Sequence, residues 1–281
     1  MSPRFIVVPE WQGSASARAM RLIDGADAIR GDLPASRTRL VDVPAEAGDA
    51  LDTGVHRFSS LAATRQHLAA ELEAGAGDPG ADWALTVGGD CGVSLAAVEN
   101  AAGRHPADLA VVWFDAHPDL NTPESSPSSV FGGMVLRAIL GDGCDGLALA
   151  HGLVPASRVV LAGARDIDPA EDEFIAAHAL PCLAPEALAT PDALIEAVRA
   201  TGASHVYLHI DLDVLDPADF AGLANPVPFG VPLAGLIAAI TALKQNFETA
   251  GATLAGFSPA TPDAADDDLP AILRIIGALT R

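Results

Sequence analysis

The apolar positions of this chain fall into short unbroken runs separated by segments with helical spacing. Arg4 to Pro9, Arg39 to Val43, Trp83 to Val87, Leu109 to Phe114, Arg158 to Gly163, His205 to Asp213 and Thr253 to Phe257 read as strands. Between them, Ser14 to Ala26, Phe58 to Ala74, Ser94 to Ala102, Gly133 to Leu140, a stretch opening at Pro169, Pro191 to Thr201, Val231 to Phe247 and Leu269 to Leu279 read as helices. In Phe58 to Ala74, for example, Leu61, Ala62, Leu68 and Leu72 share one face and charge occupies the other. Residues 44–55 read as a loop, and Gly75 to Ala81 as a glycine-rich stop. Strands that alternate with helices and are apolar throughout predict an α/β fold. The expectation is a three-layer αβα arrangement with a mostly parallel central sheet of about eight strands, covered on both faces. No linker or repeat interrupts the pattern, so residues 1–281 read as one domain.

On such a sheet, chemistry is expected at the carboxyl ends of the strands. The polar clusters lie there: Asp90-Cys91, Asp115-His117-Asp119, Asp166-Asp168 and Asp211-Asp213. Asp115, His117 and Asp119 follow the Leu109 to Phe114 run at alternate positions, roughly 6.6 Å apart if extended. They reach one point only if the chain curls after His117, and Pro118 favours a turn. Asp211 and Asp213 are two apart on a second strand end, with His209 two residues earlier. Carboxylates gathered at the edge of a core are costly unless neutralised, and a bound cation is the simplest neutraliser. The ordinary alternative is aspartates that cap turns, Asp216 among them.

Composition narrows the partners. Half of the 281 residues are apolar, enough for one large core, and no run of eighteen apolar residues exists to span a membrane. The start, Met1-Ser2-Pro3-Arg4, lacks the pattern of a secretion signal. Cys91, Cys144 and Cys182 form no CxxC pair and are odd in number, which favours a reduced, cytoplasmic protein. The formal net charge is −21, and Lys244 is the only lysine. Such a surface repels phosphate backbones and anionic lipid, so the expected partner is a small molecule rather than nucleic acid or a membrane.

Four aspartates, a histidine and a cysteine form a ligand set that leans hard, with the thiol pulling toward softer ions. Two divalent ions would balance the four carboxylates and could together deprotonate a water for attack on a trigonal carbon.

Several blocks also carry a family resemblance. Gly88-Gly89-Asp90, Asp115-Ala116-His117-Pro118-Asp119, Asn121-Thr122-Pro123, Arg165-Asp166-Ile167-Asp168-Pro169 and Asp211-Leu212-Asp213-Val214-Leu215-Asp216-Pro217 resemble, in order, the signature blocks of the arginase/agmatinase/formiminoglutamase family, the ureohydrolases. The resemblance implies an arginase-like fold and a hydrolase of a non-peptide C–N bond in a guanidino, amidino or formimino compound. It implies two divalent ions, manganese by family habit, and a homo-oligomer, trimer or hexamer. Position by position it places the first ion on Cys91, Asp115, Asp119 and Asp211, and the second on Asp115, His117, Asp211 and Asp213. Asn121, Ser128, Asp168 and Glu171 match positions that contact the far end of an amino-acid substrate.

The chain departs from the family pattern in three places. Cys91 stands where the family has a histidine ligand after Gly-Gly-Asp. Gly132 aligns with the histidine linked to proton transfer to the leaving amine, so Asp119 and His209 become the candidate catalytic groups. Thr261 falls where guanidino-specific members place an acidic residue. Two other readings stay open on these grounds: a metal-binding relative without activity, and an amide or acetyl-amine hydrolase.

Overall fold

The computed structural model describes residues 3–75 and 82–281. Eight strands form one sheet: β1 (Arg4–Val8), β2 (Thr38–Leu40), β3 (Ala84–Gly88), β4 (Leu109–Phe114), β5 (Val159–Ala162), β6 (Cys182–Leu183), β7 (His205–Asp211) and β8 (Glu248–Ala255). Their order is β2-β1-β3-β8-β7-β4-β5-β6, and every pairing is parallel. Among the described residues, seven helices connect them, α1 (Arg21–Asp32), α2 (Phe58–Ala74), α3 (Ser94–Arg104), α4 (Val135–Ile139), α5 (Pro169–His178), α6 (Asp192–Ala200) and α7 (Leu233–Asn246), and α8 (Ala265–Thr280) follows β8.

The apolar strands supply both faces of the sheet, because side chains alternate along a strand. Val7, Val112, Phe114, Leu208 and Ile210 join the core with α1, α6, α7 and α8. Ile6, Val8, Val111, Trp113 and Tyr207 join the other, with α2, α3 and α4. The expected three-layer α/β architecture is therefore present, and the sheet is wholly rather than mostly parallel.

Several boundaries differ from the sequence reading. The helix expected over Ser14 to Ala26 begins only at Arg21. Before it, the Ser14 and Ser16 hydroxyls accept the backbone N–H groups of Ser16 and Arg18, which draws the backbone into local turns. α1 then runs past Gly25, where a Cβ would lie 2.1 Å from the Phe257 carbonyl oxygen, so the glycine permits the helix to approach the segment that follows β8 closely. β6 has two residues, too few to leave a periodic signal. The glycine-rich stop after α2 lies, past Gly75, outside the described residues. Among the described residues, no helix is long and apolar enough to cross a membrane.

Candidate metal centre

Three strand ends converge on one acidic point. At the end of β4, the Asp115 Oδ1 accepts the His117 N–H at 2.7 Å, which starts a turn. Asp119 then adopts a left-handed backbone, with φ 53°. Aspartate tolerates this region better than most residues. The curl after Pro118 returns the Asp119 carboxylate toward Asp115. At β7 the strand stops at Asp211 instead of continuing through Asp213. The Asp211 Oδ1 accepts the Asp213 N–H at 2.8 Å and opens a 3-10 turn over Leu212–Val214. The paired aspartates thus meet through a turn, not through extended alternation as the sequence implied. Gly256, at the end of β8, has φ +85°, and a Cβ there would lie 2.2 Å from Asp211 Oδ1. Only glycine leaves room for that carboxylate.

After β3, Asp90 does not face the others as a donor. Its two oxygens accept the Gly13 N–H at 2.8 Å and the Gly92 N–H at 2.9 Å, which fixes the turn carrying Cys91. Cys91 sits at the start of a 3-10 turn leading into α3, and its thiol reaches Asp211 Oδ2 at 3.0 Å and Asp115 Oδ2 at 3.9 Å.

Two compact donor sets result. Cys91, Asp115, Asp119 and His209 each offer one atom, all within 4.8 Å of one another, and all four residues are buried. Asp115, His117 and Asp213 form the second set under the same limit. Asp115 belongs to both, as a bridging carboxylate would. Asp211, which the family pattern also makes a bridge, belongs to neither set; its oxygens are engaged by the Cys91 thiol and the Asp213 N–H.

The electrostatics of the cluster favour a cation. Burial, followed by the charge of Asp115, pushes Asp119 well above the usual carboxylate range. Burial with Asp211 and Asp115 does the same to Asp213, and burial with Asp115 raises Asp211. Burial works against ionisation of Asp115 too, but the hydrogen bonding and charge of His117, with the proximity of His209, outweigh it and hold this carboxyl low. Burial disfavours a charged His117, yet Asp115 and Asp213 on either side push its pKa up to about 12. Burial, then Asp211, Asp119 and Asp115, raises the Cys91 thiol. A divalent ion would relieve each of these, and two buried polar atoms, Asp119 Oδ2 and His209 Nε2, have no hydrogen-bond partner. By donor chemistry and by these orphaned atoms, the residues fit divalent metal.

The donors form the floor of a cavity of about 370 Å³. Its lining includes the expected Cys91, Asp115, His117, Asp119, Asp211 and Asp213, and the expected far-end residues Asn121, Ser128, Asp168 and Glu171. Asn121 Nδ2 donates to Asp168 Oδ2 at 2.9 Å. The Glu171 oxygens accept the Leu120 and Asp168 N–H groups, both at 2.9 Å. This wall is therefore built before a substrate arrives.

His209 is placed differently from the rest. It is fully buried beneath the floor and does not line the cavity. Its position puts it against the donor cluster rather than on the cavity wall. Thr261 is also outside the lining; its hydroxyl accepts the Ala264 N–H and caps a local turn. Gly132 does line the cavity, but its N–H donates to Gly13 O at 2.7 Å, and a Cβ there would meet the same oxygen at 2.7 Å. The space a side chain would need is occupied by backbone.

Sequence reasoning missed Gly13, Ser14, Ala224 and Asn225, which also line the cavity. Gly13 and Ser14 follow the carboxyl end of β1, a position that could have marked them. The sequence marks Arg165 only by its place in the Arg165–Pro169 block. Its guanidinium donates to the carbonyls of Asp213, at 2.8 Å, and Val227, at 2.7 Å, tying the loop after β5 to the loop after β7.

Fold and site together define a three-layer α/β protein with a buried acidic centre at the strand carboxyl ends, able to hold divalent cations. The chain belongs to the arginase family, whose model matches residues 15–275. It is 33% identical over 236 residues to the N(omega)-hydroxy-L-arginine amidinohydrolase of Streptomyces lavendulae, covering 84% of this chain and 77% of that protein. It is 31% identical over 182 residues to an arginase of Staphylococcus aureus, covering 62% of this chain and 60% of that enzyme. The matched segments span between about half and three-fifths of the staphylococcal arginases. In fold it superposes on Entamoeba histolytica arginase in complex with L-ornithine with a TM-score of 0.85 at 21% identity, covering 99% of each chain. Bacillus subtilis arginase gives 0.80 at 24% identity, again over 99% of each.

Proposed function

We propose that this chain is a metal-dependent hydrolase of a C–N bond in a small guanidino amino acid, with an N-hydroxyguanidine preferred over a free guanidinium. The carrying observation is the acidic floor with two donor sets sharing Asp115, beneath a wall of Asn121, Ser128, Asp168 and Glu171. Bound at these sets, divalent ions supply the Lewis acidity that brings water deprotonation near neutral pH. Asp115, His117 and Asp213 would hold one, and Cys91, Asp115 and Asp119 the other, with Asp211 fixing the Cys91 thiol and the Asp213 turn. The thiol moves the preferred metal from manganese toward softer ions.

The chain's own groups then set the substrate. Asp119 lines the cavity, and the carboxylate oxygen left over from holding the ion is the group placed to take a proton from water and return it to the departing amine. Asn121, Asp168 and Ser128 present polar atoms to an amino-acid end. Nothing at position 261 pairs with a cation, and nothing at 132 donates a proton. A guanidine carrying an electron-withdrawing hydroxyl is less basic, so it gives up its proton on binding more readily than a free guanidinium and depends less on a carboxylate partner. The Streptomyces relative, named for its action on N-hydroxy-arginine, supports this preference.

The test is turnover by protein loaded in turn with manganese, cobalt, nickel or zinc. The panel is arginine, agmatine, a formimino amino acid and N-hydroxy-arginine. The expected outcome is kcat/KM for N-hydroxy-arginine at least about tenfold above arginine, a difference of roughly 1.4 kcal/mol. Equal rates on arginine would remove the substrate preference. Two bound ions with no turnover of any compound would leave a metal-binding relative without chemistry.

A further inference from the structure

His209 is fully buried at this centre, yet it neither lines the cavity nor ties one loop to another. It lies on β7 in register with Trp113 of β4, and the two rings stack with centroids 3.5 Å apart and planes 12° apart. Its Nδ1 is 2.8 Å from Ser94 Oγ, in the first turn of α3, three residues after Cys91. Stacking on one side and the serine on the other fix the ring plane and aim Nε2 at the acidic floor. That nitrogen is wholly buried, 3.7 Å from Asp115 Oδ2, and has no hydrogen-bond partner.

We infer that His209 Nε2 is a ligand of the metal ion held by Cys91, Asp115 and Asp119, replacing from below the imidazole that position 91 lacks. This rests on the reading that divalent ions bind here, but not on turnover. Donors on one ion, with bonds of about 2.1 Å to nitrogen and 2.3 Å to sulfur, lie at most about 4.4 Å apart. The four donor atoms already lie within 4.8 Å of one another, so shifts of a few tenths of an ångström close the set. The same ion would satisfy both orphaned atoms of the centre, Asp119 Oδ2 and His209 Nε2. A hydrogen bond from Nε2 to Asp115 would satisfy neither Asp119 nor, at 3.7 Å, its own donor. Ser94 then plays the part of the outer partner that orients a metal-bound histidine through its second nitrogen. The first site becomes a thiolate, an imidazole and two carboxylates, a softer set than the Asp-His-Asp of the second.

The experiment compares the intact protein with His209→Phe, which keeps an aromatic ring against Trp113 and removes the donor nitrogen, and with Ser94→Ala. Each is titrated with cobalt, followed by the thiolate-to-cobalt charge-transfer band and by elemental analysis after dialysis. The expected result is that His209→Phe retains one ion and weakens the one that gives the thiolate band by at least about tenfold, with Ser94→Ala intermediate. Two ions of unchanged affinity and an unchanged band in His209→Phe would overturn the assignment. Should that variant not fold, the metal-loaded crystal structure of the intact protein decides. Nε2 at bonding distance from the Cys91-bound ion supports it. Nε2 held off the ion, donating to Asp115 instead, overturns it while leaving the proposed hydrolase standing. No ion bound by the intact protein would defeat both.

Discussion

The two halves of the acidic centre are built on different terms. In the half made by Asp115, His117 and Asp213, the donors already satisfy one another. The His117 Nδ1 lies 3.3 Å from Asp115 Oδ1 and 3.1 Å from Asp213 Oδ2, and the Ala116 N–H donates to Asp213 Oδ1 at 3.0 Å. In the half made by Cys91, Asp119 and His209, two buried atoms have no partner at all. Unpaired buried polar groups each cost about 1–3 kcal/mol. The first arrangement therefore satisfies its donors without an ion, whereas the second would be completed by one. The soft thiol sits in the half with the unsatisfied atoms, so under the proposed function loss of metal and change of metal should both be felt there first.

The largest effect tests what the halves share. Asp115 is the only residue in both donor sets. Asp115→Ala is expected to lose both ions, by more than about a hundredfold in affinity each, since even outer partners of ligands are worth about 10–100-fold. Activity goes with them. Elemental analysis after dialysis checks this, and normal metal content would remove the centre as described.

The next effect separates the halves. Cys91→Ser is expected to weaken one ion by about 10–100-fold and to shift preference back toward manganese, with the other ion unaffected. His117→Ala should do the converse, losing the second ion and keeping the thiolate-bound one. Equal losses in both variants would show a single coupled site instead of two.

A smaller effect follows from the raised carboxyls. A carboxyl whose folded pKa exceeds its unfolded value gives stability that is complete below the unfolded value and is lost as pH rises through the folded one. Asp119, Asp211 and Asp213 are raised chiefly by burial, and Asp90 is raised by burial to about 6. His117, raised to about 12, adds stability that fades above its unfolded value and so has the same sign. Each pKa unit is worth about 1.4 kcal/mol, so Asp90 alone, raised to about 6, loses about 1–1.5 kcal/mol of stabilisation between about pH 5 and pH 7. Chelator-stripped protein is therefore expected to melt at a higher Tm at about pH 5 than at about pH 7, and metal to raise Tm more at the higher pH. A stripped protein that melts earlier at the lower pH would contradict the cluster's electrostatics.

How much of this was legible in the sequence depends on range. Apolar runs such as Leu109 to Phe114 and the acidic pairs that follow them placed the sheet and its reactive edge, because strand, turn and donor are neighbours in the chain. The start of α1 was not legible, since two serine side chains divert the backbone ahead of it. Nor was the height of His209. Period-two reasoning gives the face a residue shares with Asp211, but not that it ends beneath the floor against Trp113 and Ser94. The meaning of Gly132 was likewise hidden. The sequence shows a missing side chain, whereas the structure shows the Gly13 carbonyl in its place, from a segment 119 positions away.

That last point yields the smallest expected effect, and it concerns the cavity wall rather than either half of its floor. If Gly132 were merely a lost histidine, Gly132→His would restore a proton donor and improve turnover of arginine. With Gly13 O 2.7 Å from where a Cβ must go, and bonded to the Gly132 N–H, any side chain has to displace the segment that follows β1. The same segment holds Asp90 through the Gly13 N–H, and Asp90 in turn fixes the turn that presents Cys91. Gly132→Ala is therefore expected to cost about 1–3 kcal/mol, the usual range for overpacking. Gly132→His should lower Tm further and loosen the thiolate-bound ion without raising kcat on arginine. Thermal melts, cobalt titration and the arginine assay on the two variants measure this together. A gain in arginine turnover with Tm unchanged would show that the wall is free to accept a side chain and that the glycine is a simple deletion.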